Sequence, residues 1–191
     1  NDLHENATIL NINKKRINYF LKKYDVIVLA GFQGVNTNGC ITSLGRGGSD
    51  TTAVAIASAI EAERCDIYTD VEGVYTADPN IESKAKKIPK VSFEEMLEMS
   101  SMGAKVLHTR SVELAMKNNL TLQVLSSLTN AKGTYIVDES QLVEKEFVSG
   151  VSYSKNEAKI TISGIQDQTG ISAKIFSLMS KKNINVNMIV Q

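Results

Sequence analysis

Apolar positions recur at helical spacing over residues 11–24, NINKKRINYFLKKY, with Ile12, Ile17, Phe20 and Leu21 on one side and lysines on the other. That spacing predicts an amphipathic helix. The pattern then changes to a continuous β-branched run, DVIVLAGFQG, which ends at glycines and reads as a strand buried on both faces. A glycine-rich loop and a helix of small and aliphatic residues over 49–63 come next. CDIYTD reads as a second buried strand and VEGVYTADPN as a loop. Residues 92–118 hold two helical segments, SFEEMLEMSSMG and AKVLHTRSVELAMKNN. LTLQVLSS and GTYIVD read as a third and a fourth strand. Strands alternating with helices in this way predict an α/β fold with a mainly parallel sheet.

The composition shifts at DESQLVEKEF, which is charged and has no strong period. A linker over residues 139–146 is expected there, between a first domain over 1–138 and a second over 147–191. The second part reads as strand material (VSGVSYSKNEAKITISG), a loop (IQDQTG), a helix with Ile171, Ile175, Phe176, Leu178 and Met179 inward, and a strand (INVNMIV). This is one β-α-β unit of a small α+β domain. An apolar strand-like run at the extreme end, and Asn1 rather than methionine at the start, lead us to expect a piece of a longer polypeptide.

Bulk properties narrow the choice of partner. The chain has 191 residues, 42% hydrophobic and 22% charged, a globular composition. Its 21 basic and 21 acidic residues balance, so no global field draws in nucleic acid or an anionic membrane. No apolar run approaches the roughly 18–20 residues of a membrane span, and a cytoplasmic protein is expected. Cys40 and Cys65 have no metal-like spacing and are expected to be buried, reduced thiols. No Cys/His cluster suggests a bound metal.

The chemistry concentrates in TSLGRGGSDTTAVAIASAIEAE. One arginine, Arg46, stands among Gly45, Gly47 and Gly48, directly ahead of the small-residue helix. Ligands of α/β sheets sit over loops that run from strand ends into helix N-termini. Glycines turn backbone N–H groups toward such a ligand, and the helix end adds about half a positive charge. Ser49 is the expected N-cap, with Asp50 in the first turn. Arg46 then supplies the planar fork that grips a carboxylate. From these residues alone, an anion cradle and a glycine-rich turn with a solvated arginine stand side by side. Asp50 reads equally as a helix-start residue. The string is neither a Walker A loop nor a dinucleotide fingerprint.

LGRGGSDTTA, YTDVEGVYTADP and SFEEMLEMSSMGAKVLH together resemble the aspartate kinases of the amino-acid kinase family. The resemblance covers about residues 25–137, and the tail from Phe147 resembles the start of the ACT regulatory region of those enzymes. It implies the C-terminal part of an αβα-sandwich kinase domain followed by the start of an α+β ACT domain. It also implies ATP-dependent phosphorylation of the β-carboxylate of L-aspartate to 4-phospho-L-aspartate. That is the first step toward lysine, threonine and methionine, and it is feedback-regulated through the ACT region.

By the same resemblance, Arg46 holds the α-carboxylate of aspartate beside the Gly47, Gly48 and Ser49 backbone. Asp50 acts in catalysis by orienting a cation, which in the family is a lysine of a glycine-rich motif that this chain does not contain. The piece alone is therefore expected to be inactive. Nucleotide contacts are expected from Ser49, Thr69, Asp70, Tyr75, Thr76, Ala77, Asp78, Pro79, Asn80 and Lys105. Tyr75 would stack on the base, and Lys105, at a helix start, would meet phosphate. Without the resemblance, Asp78-Pro79 is a good turn pair and Tyr75 covers core. Two residues depart from the family's pattern: Asn80 stands where it usually has arginine, and Thr109 where it more often has proline. His108 is read as structural. Mg²⁺ is expected to arrive with ATP, because phosphoryl transfer needs charge neutralisation at the β- and γ-oxygens.

In the tail, Asp167 and Gln191 fall where the family places contacts to a feedback amino acid, lysine or threonine or both. A plain β-α-β interface element is the alternative. A lone β-α-β unit exposes sheet edges, so pairing into a homo- or hetero-oligomer is expected. Two rival functions remain at this point. One is a kinase for a related amino acid, which the ACT-like tail disfavours. The other is a non-catalytic chain that senses amino acids and regulates a partner.

Overall fold

The computed structural model describes residues 7–104, 106–142, 148–153, 158–164, 170–182, 184, 186 and 189. The chain divides into two compact units, residues 1–155 and 156–191.

The first unit opens on helix α1, Lys14–Leu21. Asn13 caps it, its side-chain oxygen accepting from the Arg16 N–H at 3.0 Å, which satisfies one of the donors a helix start leaves open. The β-branched run after it is not a buried strand. No described strand pairs with residues 26–31, and Val26 and Val28 are 77% and 93% exposed. A strand is held by hydrogen bonds to its neighbours, and among the described residues no strand pairs with this segment. The far end of the run is nonetheless fixed. The Phe32 carbonyl accepts from Leu44 N–H at 2.9 Å, and the Phe32 N–H donates to Thr52 Oγ1 at 3.1 Å.

An antiparallel hairpin that the sequence pattern does not predict comes next, β1 (Gln33–Val35) with β2 (Ile41–Ser43), in register Gln33 to Ser43. Its turn is shaped by Asn36, whose side-chain oxygen accepts from the N–H groups of Asn38 and Cys40. Cys40 is exposed there, contrary to expectation, whereas Cys65 is buried. Burial pushes the Cys65 thiol up to about 11, which keeps it protonated and unreactive.

Helix α2, Gly48–Ala59, buries Thr51, Thr52, Val54, Ala55 and Ala57, so its small residues serve close packing on more than one side. Its two threonines are tolerated because each hydroxyl bonds back to the helix start, Thr51 to the Gly47 carbonyl and Thr52 to the Gly48 carbonyl.

The main sheet has four strands: β3 (Cys65–Thr69), β4 (Lys90–Ser92), β5 (Leu122–Ser126) and β6 (Thr134–Val137). Their order is β3-β5-β6-β4. β3 with β5 and β4 with β6 are parallel, and β5 with β6 is antiparallel. The fold is therefore α/β with a mainly parallel sheet. β4 runs directly into helix α3, Phe93–Ser101. That junction is a capping box, with Ser92 accepting from Glu95 N–H and Glu95 accepting from Ser92 N–H. Helix α4, Thr109–Lys117, begins at Thr109 and not near residue 104, because His108 is its N-cap. Val54, Phe93, Met96, Val112, Ala115, Leu122, Val124 and Ile136 form the fully buried centre between these helices and the sheet. Ser149 and Val151 belong to this unit. The Ser149 hydroxyl donates to Glu95, and Val151 N–H donates to the Thr76 carbonyl at 2.7 Å.

In the second unit the described residues form helix α5, Ile171–Lys181, which follows Gly170 at a positive φ of 88°. Ile171, Ile175 and Met179 are half-buried along one stripe, while Phe176 and Leu178 are exposed, contrary to expectation. Residues 158–164, expected to be strand, pair with no strand among the described residues. Among the described residues no helix is long and apolar enough to cross a membrane.

Candidate active site

The glycine-rich loop lies where the run ending at Phe32, the hairpin and two helix starts meet. Gly47, not Ser49, is the N-cap of α2, at φ 69°. Such a φ is open to glycine at little strain and costs other residues about 1–2 kcal/mol. Ser49 sits instead inside the first turn, exposed. Gly48 is enclosed: a Cβ there would come within 2.9 Å of the Leu44 side chain and 3.0 Å of the Phe32 ring. Gly45 is also at positive φ, 75°, and its carbonyl accepts from Gly48 N–H at 2.9 Å. Arg46 is thus carried at the apex of a two-glycine turn. It is exposed, and among the described residues its guanidinium has no hydrogen bond or ion pair.

Asp50 stands in the first turn of the helix, half-buried. Burial holds its carboxyl above the usual carboxylate range. The charge of His108 and a hydrogen bond from the His108 backbone pull it back toward the ionised form. His108 is closer to the loop than the sequence indicates. A Cβ on Gly47 would meet the His108 Cβ and Cγ at 2.4 Å, so the imidazole packs directly on the Gly47 backbone. The reading of His108 as structural agrees with this packing and with its capping role.

The second group of residues forms around the end of β3. Thr69 Oγ1 accepts from Val71 N–H at 2.9 Å, closing a short turn that leaves Asp70 exposed. Residues 74–76 and 86–88 then run as a narrow antiparallel ribbon. Tyr75 bridges Lys87, Ile88 N–H donates to the Val74 carbonyl, and Thr76 N–H donates to the Lys86 carbonyl. The ribbon is anchored by Thr134, fully buried on β6, whose hydroxyl accepts from Val74 N–H at 2.9 Å and donates to the Ile88 carbonyl at 2.6 Å. Sequence reading did not identify Thr134. The cue was Gly73, at φ 147° with a Cβ position 2.5 Å from the Thr134 hydroxyl.

Tyr75, Thr76, Ala77 and Asp78 are half-buried along the ribbon, and Pro79 and Asn80 are exposed. Asn80 turns back on its own loop: its N–H and side-chain amide both donate to Asp78, at 2.9 and 3.1 Å. Lys105, Asp167 and Gln191 lie outside the described residues.

The two groups are not joined by any hydrogen bond or ion pair among the described residues. Clefts of about 500 and 610 Å³ open elsewhere, one between α1 and Ile27–Leu29, the other between residues 8–14, α2 and α4. Neither is lined by Arg46, Asp50 or Tyr75. No three His, Cys, Asp or Glu among the described residues are gathered to hold a metal ion.

A glycine-rich loop that leads from the hairpin into α2 and a looped end of β3 are thus carried by one α/β unit. The family described as the amino acid kinase family matches residues 1–126, and the chain belongs to it. The aspartate kinase of Pseudomonas putida is 51% identical over 189 residues, 98% of this chain and 46% of that one. The aspartokinase of Helicobacter pylori is 50% identical over 191 residues, 98% and 47% of the two chains. Escherichia coli aspartokinase III, solved with aspartate and ADP, is similar with a TM-score of 0.62 and 32% identity, covering 84% of this chain and 36% of that one. The same enzyme solved with lysine and aspartate gives a TM-score of 0.61. The chain spans about half the length of the curated relatives it matches.

Proposed function

We propose that this chain is the part of an aspartate kinase that binds aspartate and much of the nucleotide, in an enzyme that transfers the γ-phosphoryl group of ATP to the β-carboxylate of L-aspartate. The observation that carries this reading is Arg46: an exposed guanidinium, unpartnered among the described residues, on a two-glycine turn in a chain half-identical to aspartate kinases. A guanidinium grips a carboxylate with two parallel hydrogen bonds, and the α-carboxylate of aspartate is the anion assigned to it. The backbone of Gly47, Gly48 and Ser49 lies beside that carboxylate. Phosphoryl transfer asks mainly for in-line positioning and cationic surroundings. Asp50 cannot supply positive charge, so its role is to orient a cation next to the transferring group.

The nucleotide is assigned to Thr69, Asp70, the ribbon from Tyr75 to Asn80, Ser49 and Lys105. Asn80 is tied to Asp78, so it does not replace a phosphate-binding arginine. Mg²⁺ would come bound to ATP and neutralise the β- and γ-oxygens. Residues 147–191 are assigned to an ACT-type regulatory domain, with Asp167 and Gln191 toward a feedback amino acid. The lysine complex of the E. coli relative supports lysine as that effector. Pairing of these domains between chains, and a cytoplasmic location, complete the proposal.

The test is Arg46→Ala in the full-length enzyme, read by trapping the acyl phosphate with hydroxylamine. Loss of a bidentate charge-assisted contact, about 2–3 kcal/mol, corresponds to a rise of about 30- to 150-fold in the aspartate KM, with the ATP KM unchanged. An unchanged aspartate KM removes Arg46 from the substrate site.

A further inference from the structure

The Arg46 turn is held from a distance by a second arginine. Arg110, half-buried in the first turn of α4, donates from one guanidinium nitrogen to the Leu44 carbonyl at 3.1 Å and from the other to the Ala7 carbonyl at 2.8 Å. Both acceptors belong to buried residues, Leu44 at 3% and Ala7 at 1% exposure. The two carbonyl-bearing segments are themselves tied together, Ala7 N–H donating to the Ser43 carbonyl at 3.1 Å. Leu44 is therefore fixed on both sides, its N–H on the Phe32 carbonyl and its carbonyl on Arg110. Three residues later, Gly47 is fixed by the start of α2 and by the His108 ring. Only Gly45 and Arg46 lie between these anchors. Two of the four holds, Arg110 and His108, come from the start of α4.

We propose that Arg110 is a positioning residue for aspartate: through the Leu44 carbonyl, with His108 against Gly47 as the companion hold, it fixes the direction in which Arg46 presents its guanidinium. The inference rests on the assignment of Arg46 to the substrate carboxylate. Arg110 touches neither substrate nor nucleotide. It contributes by removing the conformational freedom that the Arg46 turn would otherwise lose on each binding event. A fork with two well-separated donors suits two carbonyls on different segments, and a lysine ammonium engages one of them at a time.

The test uses Arg110→Ala, Arg110→Lys, Arg46→Ala and Arg46→Ala/Arg110→Ala in the full-length enzyme. Arg110→Ala raises the aspartate KM about tenfold while the ATP KM and kcat stay within about threefold, and Arg110→Lys falls between it and the wild type. On the Arg46→Ala background, removing Arg110 adds less than about twofold, because the two act through one contact. Hydrogen exchange of the amides in residues 43–49 quickens about tenfold in Arg110→Ala, without a matching change in β5.

An aspartate KM within twofold of wild type, or effects that add fully in the double variant, overturn the inference. So does unchanged exchange in residues 43–49. If Arg46→Ala leaves the aspartate KM unchanged, the substrate assignment fails, and the exchange measurement still decides whether Arg110 holds the turn. If Arg110→Ala does not fold, Arg110→Lys is read by the same measurements, and wild-type values in both overturn the inference.

Discussion

Gly47→Ala is the substitution whose consequence the structure defines most sharply. Two separable penalties apply. The first is conformational: Gly47 sits at φ 69°, where an L-residue with a Cβ is strained by about 1–2 kcal/mol. The second is steric: the new Cβ would lie 2.4 Å from both Cβ and Cγ of His108, and forcing a methyl group into so tight a place costs about 1–3 kcal/mol. Together they give a loss of about 2–5 kcal/mol.

Gly39 supplies the control. It has a similar φ of 81° with nothing within 4 Å of its would-be Cβ, so Gly39→Ala carries the conformational penalty alone, about 1–2 kcal/mol. Urea unfolding of the protein and of both variants, with m-values unchanged so that midpoints report stability, should place Gly47→Ala below Gly39→Ala by at least about 1 kcal/mol. Because the clash pushes His108 away from the loop, the Gly47 variant of the full-length enzyme should also lose aspartate affinity, and the Gly39 variant should not. Equal midpoints for the two variants would refute the contact between His108 and Gly47, and with it the picture of α4 bracing the turn.

Two further perturbations test the other parts of the site. Thr134→Val keeps the shape of a fully buried side chain but strips the hydrogen bond from Val74 N–H and the one to the Ile88 carbonyl. A loss of about 2–4 kcal/mol is expected from two orphaned groups, together with a raised ATP KM as the ribbon loosens; an unchanged ATP KM would separate the ribbon from the nucleotide. Asp50→Asn should cut kcat by about 10²- to 10³-fold if the carboxylate orients charge in the transition state, without lowering the melting temperature at pH 7. The sign follows from burial, which raises the Asp50 carboxyl above 3.8. The folded state then holds that proton more tightly than the unfolded chain does, so its contribution to stability is lost as pH rises through the raised value. A less stable Asp50→Asn with near-normal turnover would make Asp50 a helix-start residue only.

The parts of this molecule that were legible from sequence are those set by neighbours along the chain. The strands at Cys65–Thr69, Leu122–Ser126 and Thr134–Val137, the helix after the glycines and helix α5 all follow from local period and punctuation. The β-branched run at residues 26–31 shows where that logic stops. Its pattern specifies a strand that wants neighbours on both sides, and pattern alone cannot supply the neighbours; Val28, almost fully exposed, marks their absence among the described residues. The expected cap of α2, Ser49, was displaced for a different reason. Gly47 is also an acceptable N-cap, and Leu44, Phe32 and His108 close around the turn that it starts.

The candidate site repeats this division. Arg46, Asp50 and the Tyr75–Asn80 loop stand in contiguous motifs, whereas the groups that hold them are far away in sequence: Arg110 lies 66 residues from Leu44, and Thr134 lies 60 from Val74. Each of these holds is a side chain satisfying a backbone group, and any segment offers such groups, so no residue pattern announces the pairing. Glycine is the one local trace. Gly47 and Gly73 are the positions at which His108 and Thr134 approach the backbone too closely for a Cβ. In this chain a glycine beside a functional motif records the arrival of a distant brace as well as the needs of a ligand, and the two arginines of the site divide accordingly, Arg46 facing solvent and Arg110 facing the chain.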